Sequence, residues 1–142
     1  MRSVLLLALV STLCAVDANL ENGVMARGYD VVAYTTSQAL AGDAAITAEH
    51  HGATYRFATT ANRDTFLADP DRYVPAYGGW CAYAMADGDL VNIDPETYKL
   101  IDGRVYLFYN GFWGNTLTKW NKDETALKTK ADAAWQQLNA EP

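Results

Sequence analysis

Tyr98-Lys99-Leu100-Ile101-Asp102-Gly103-Arg104-Val105-Tyr106-Leu107-Phe108-Tyr109 reads as two strands meeting at a tight turn. Asp-Gly suits a type I′ turn, whose two central residues both need positive φ, and branched and aromatic side chains dominate the flanking runs. A second hairpin lies upstream, where residues 45–49 and 53–57 flank His50-His51-Gly52. Its Tyr55 and Phe57 alternate with Thr54 and Arg56, the period of two expected of a strand with one buried face.

Helical signals fill the rest. Thr60 is placed to cap a helix over 61–68, and Asp69-Pro70 ends it, because proline disfavours helical geometry in the residue before it. Gly78-Gly79 opens a short helix from 80 to about 86. Leu127, Ala131, Ala134, Trp135 and Leu138 form an apolar stripe at helical spacing. Near the start, Gly28-Tyr29-Asp30 reads as a turn into a buried strand, Val31-Val32-Ala33-Tyr34, followed by a polar loop over 37–43. The expected fold is α+β: two antiparallel hairpins packed with three to four helices in a single compact domain, and not a βαβ repeat.

The chain has 142 residues, 50% of them hydrophobic and 20% charged, enough apolar matter for one core and too much for a disordered segment. Eleven Lys and Arg against 17 Asp and Glu give a net charge of −6. That balance offers no basic stripe for nucleic acid and no attraction to an anionic membrane. Met1-Arg2 before the apolar run Val4–Val10, with small residues at Val16-Asp17-Ala18, reads as a signal peptide over 1–18. The apolar run falls short of the roughly 20 residues that span a bilayer. The expectation is a secreted or periplasmic protein whose mature part, 19–142, has no further membrane segment. A lipid anchor at Cys14 is the weaker alternative, since bulky Leu13 precedes it.

Cleavage after Ala18 leaves one cysteine, Cys81, which cannot form an internal disulfide. In Tyr77-Gly78-Gly79-Trp80-Cys81 the glycines allow a sharp turn into a helix, whose first turn stabilises a thiolate. Cys81 with Met85, four residues on, and a histidine such as His51 would make a soft site for copper or zinc. Two readings compete. Cys81 is the nucleophile of a thiol-dependent enzyme or redox protein, or it is a small buried hydrophobe in a structural module. No Gly-x-Ser-x-Gly, His-Glu-x-x-His or phosphate-cradling loop is present, so the balance of motifs points to binding more than to catalysis.

Gly28–Tyr34, the run Tyr55–Tyr73, Tyr77–Tyr83 and Asp102–Leu107, taken together with the helix around Trp135, resemble the YHS-domain family. The likeness covers nearly all of 19–142 and is greatest to the longer, exported, single-cysteine branch. It implies a compact α+β fold and metal handling. The compact metal-handling members carry cysteines where this chain has Ala58 and Ala61, so the usual thiolate pair is absent here. Because that branch pairs its first motif with the cysteine motif, the resemblance puts Asp30 and Tyr34 beside Cys81 as ligand-binding residues. The partner expected is a metal ion or a small ligand, and the oligomeric state stays open.

Overall fold

The computed structural model describes residues 16–140, so most of the expected signal peptide, residues 1–15, lies outside the described residues. In chain order come β1 (Leu20–Glu21), β2 (Val24–Met25), 3₁₀ turns at Ala26–Gly28 and Ala33–Thr36, β3 (Asp43–His50) and β4 (Ala53–Phe57). Then follow α1 (Thr60–Ala68), α2 (Pro70–Tyr73), a 3₁₀ turn at Ala76–Gly79 and α3 (Ala82–Met85). The chain ends with β5 (Asp94–Ile101), β6 (Arg104–Phe108), the small hairpin β7 (Asn110–Gly111) and β8 (Gly114–Asn115), α4 (Thr116–Asn121) and α5 (Glu124–Leu138). The α+β expectation holds.

Both expected hairpins form, and their turns have the left-handed pairs that a type I′ turn requires: His51 and Gly52 at φ 48° and 78°, Asp102 and Gly103 at 51° and 79°. The first hairpin belongs to a sheet ordered β1-β2-β4-β3, in which β2 and β4 are parallel and the other pairs antiparallel. The second, β5-β6, stands beside it and divides the core. Val105 and Leu107 of β6 enter a cluster with Phe57, Phe66, Tyr34 and Cys81, while Tyr106 and Phe108 enter one with Met85, Trp120 and Ala131. Alternate side chains of a strand point to opposite faces, so a strand buried on both sides must be apolar throughout. Val-Tyr-Leu-Phe meets that demand.

Local chemistry shifts three boundaries from their expected places. Val31–Tyr34 is no strand, because Asp30 Oδ1 accepts the N–H groups of Val32 (2.9 Å) and Ala33 (3.1 Å) and bends the backbone into a 3₁₀ turn. The cap of α1 is Thr59, whose side chain accepts from Asn62 N, so the helix begins one residue earlier than Thr60 suggests. The helix after Gly78-Gly79 is α3 alone. Cys81, at ψ 119°, stands just outside it as N-cap and not in its first turn.

Candidate functional site

Cys81 is fully buried. Its Sγ accepts the N–H of Tyr109 at 3.2 Å and lies 3.5 Å from Thr116 Oγ1. The one proton of the Thr116 hydroxyl goes to Tyr109 O at 2.6 Å, so in the contact with Thr116 the thiol is the donor. The sulfur therefore has a partner for its proton and another for a lone pair, within the protein. Gly78 and Gly79 serve a different purpose from opening a path to it. A Cβ at Gly78 would lie 2.9 Å from Trp135 Cη2, and one at Gly79 2.8 Å from Met25 Sδ. Gly78 O accepts Asn19 N, and Gly79 O accepts Asn19 Nδ2. The glycine pair is thus where residues 17–19 lie down, fixed also by Trp80 Nε1 donating to Asp17 O.

The other expected ligands are spread through three environments. Met85 is fully buried in the second core cluster, whereas Cys81 belongs to the first, and the His51 side chain is 80% exposed at the tip of the β3-β4 hairpin. Asp30 is completely buried with every lone-pair direction in use: besides Val32 and Ala33, its Oδ2 accepts Ala58 N (2.9 Å) and Asn62 Nδ2 (2.8 Å). It ties the first 3₁₀ turns to the start of α1. Ala58, at a position where the family resemblance leads one to look for a thiolate, contributes its backbone N–H to that tie. Tyr34 is buried too and donates its hydroxyl to Pro95 O. Burial raises its phenol far above the ordinary tyrosine range.

A different set of ligating atoms does converge. His50, His51 and Asp71 present one atom each, all within 4.8 Å of one another, and among the described residues no other set of three His, Cys, Asp or Glu side chains does so. The sequence placed the histidines at the turn but gave no sign of Asp71, which arrives from α2. Adjacent strand residues face opposite ways, yet His51 at φ 48° leaves the strand and swings to the side of His50. Their rings sit 4.0 Å apart, centre to centre. Pro70 at the first position of α2 starts that helix directly after α1, and this tight connection carries Asp71 to the hairpin tip.

The three residues differ in freedom. The His50 side chain is only 16% exposed, standing edge-on to Phe66 at 5.9 Å, and its Nε2 lies 2.8 Å from Asp71 Oδ1. His51 Nε2 is 3.7 Å from the same oxygen. Arg104 holds the α2 backbone beneath them, donating from Nη1 to Val74 O at 2.6 Å and from Nη2 to Asp71 O at 3.3 Å. Bonds of about 2.0–2.1 Å to a tetrahedral zinc place ligand atoms about 3.4 Å apart. The two distances to Asp71 Oδ1 lie within rotamer-scale adjustment of that spacing. Burial and the nearby Asp71 carboxylate push the neighbouring Tyr55 phenol up to about 12.

A scan of protein-family models, a search of curated proteins and a search of solved structures each find nothing that matches this chain. Among the described residues, no helix is long and apolar enough to cross a membrane.

Proposed function

We propose that the chain is an exported binding domain that takes a borderline divalent cation, zinc(II) or copper(II), at His50, His51 and Asp71. The observation carrying this is the convergence of two imidazoles and a carboxylate within 4.8 Å, from two separate elements. Imidazole and carboxylate donors suit zinc(II) and copper(II), whereas copper(I) prefers sulfur. The cluster supplies three ligands and leaves the remaining coordination positions to water, so exchange is open. The signal-like segment at 1–18 and the resemblance to the metal-handling YHS-domain family support export and metal binding. On this reading Cys81, Met85, Asp30 and Tyr34 shape the core, and the cation is held at the hairpin tip.

The test is equilibrium dialysis of the chelator-treated protein against zinc and copper(II), repeated with His50→Ala, Asp71→Asn and Cys81→Ser. One equivalent bound by the wild type and by Cys81→Ser, with binding lost in the other two variants, is the expected result. Loss in Cys81→Ser alone would return the site to the cysteine, and no binding by the wild type would end the metal reading.

A further inference from the structure

A notch of about 200 Å³ opens between the β1-β2 turn and β4, lined by Glu21, Asn22, Val24, Arg27 and Arg56. We infer that it binds a small oxyanion of the phosphate type, held by Arg56 together with Arg27 and Asn22. The metal reading plays no part in this. The starting observation is the isolation of one cation. Arg27 pairs with Glu21 at 3.0 Å, Arg63 with Asp64, Arg72 lies over the Tyr73 ring, and Arg104 holds backbone carbonyls. Among the described residues, Arg56 alone of these arginines has no acceptor, carboxylate or ring as partner, in a chain whose carboxylates outnumber its cations.

Arg56 is nonetheless not loose. It leaves β4, which is parallel to β2 through Val24 and Thr54, so its side chain runs along the turn that carries Arg27. A Cβ on Gly28 would sit 3.3 Å from Arg56 Cδ and 3.5 Å from Nη1, and one on Gly42 would lie 2.5–2.6 Å from the Arg56 backbone. Gly28 thus leaves room for the side chain to pass, and Gly42 for the Arg56 backbone to approach. A planar guanidinium matches two oxygens of a phosphate or carboxylate at once. Glu21 balances one of the two guanidiniums in the notch, which leaves a surplus positive charge facing the opening.

Asn22 and Gly23, at φ 51° and 80°, are the left-handed pair of the β1-β2 turn, and Ala26 and Arg27 follow in left-handed backbone at 53° and 52°. The volume admits one tetrahedral anion.

The test titrates chelator-treated protein with inorganic phosphate at low ionic strength, by calorimetry and by amide chemical shifts. Wild type should bind one equivalent saturably, with the signals of residues 21–28 and 54–57 moving, and should weaken as salt rises. Arg56→Ala should lose at least about tenfold in affinity and Arg56→Lys, which keeps the charge but not the fork, should fall between. Arg63→Ala, which removes an equal charge on α1, should bind like wild type. A parallel titration with glycerol phosphate assigns the notch to the free ion or to the phosphoryl group of a larger ligand, whichever binds tighter. Equal affinity in Arg56→Ala and Arg63→Ala, or shifts scattered over the surface, would overturn the inference.

Discussion

Asp30→Asn changes one buried atom without altering shape, and so measures what that carboxylate does. In the native protein its two oxygens take four donors: Val32 N, Ala33 N, Ala58 N and Asn62 Nδ2. The new amide oxygen can keep Val32 and Ala33. The amide nitrogen then faces the Ala58 N–H, donor against donor, while Asn62 can turn its own amide to offer oxygen. One buried N–H is left without a partner, at about 1–3 kcal/mol, and the remaining bonds lose the extra strength that an anionic acceptor confers. The expected loss is about 3 kcal/mol, a large fraction of the roughly 5–15 kcal/mol that holds a domain of this size. With a urea slope of about 2 kcal/mol per molar, the midpoint should fall by about 1.5 M. Urea unfolding followed by far-ultraviolet circular dichroism reads this directly, and metal affinity measured on the folded variant should not change. A midpoint within about 0.3 M of wild type would refute the tie between the first turns and α1. Lost metal binding at unchanged stability would make Asp30 a ligand after all.

Other outcomes follow from single contacts. Alkylation of Cys81 should proceed only at the rate of unfolding, since the sulfur is sealed and bonded to Tyr109 and Thr116; fast labelling of the native protein at neutral pH would revive the thiol-dependent reading. Gly42→Ala should destabilise by about 3 kcal/mol or more, because its Cβ meets Arg56 backbone atoms that cannot step aside. Gly52→Ala, with open space around it and only a left-handed φ to pay for, should cost about 1 kcal/mol, and thermal melts of the two variants compare them. At high pH the sign runs one way: Tyr34, Tyr55 and Tyr77 hold their protons more tightly folded than unfolded, chiefly through burial, so the stability they lend is complete below about pH 10 and falls as pH rises beyond it. Phenolate absorbance should show Tyr55 ionising near 12 and Tyr34 and Tyr77 ionising only with unfolding; ionisation of all three near 10 in the folded protein would contradict the burial assigned to them.

The hairpins were legible because their turns carry their own instructions: Asp102-Gly103 and His51-Gly52 occupy the left-handed pair that a two-residue connection demands. The stripe from Leu127 to Leu138 likewise announced α5. Val31–Tyr34 misled because an apolar run has the same look whether it pairs in a sheet or turns over a buried side chain, and the deciding agent was Asp30, a hydrogen-bonding choice invisible to hydropathy. The site was half legible. Two adjacent histidines at a turn could be seen, but the third member of the cluster, Asp71, lies some twenty residues on, among several turn-like acids that nothing in the sequence distinguishes. Cys81 is the single thiol after the signal-like segment, and only packing shows that β6, Tyr109 and Thr116 close over it.

The claim at the centre is that imidazole and carboxylate, and not sulfur, hold the cation. X-ray absorption at the zinc edge of the loaded protein tests it most directly. Nitrogen and oxygen neighbours alone at about 2.0–2.1 Å, with the outer-shell scattering of imidazole rings, are the result expected. A sulfur neighbour at about 2.3 Å would contradict it and move the metal to Cys81.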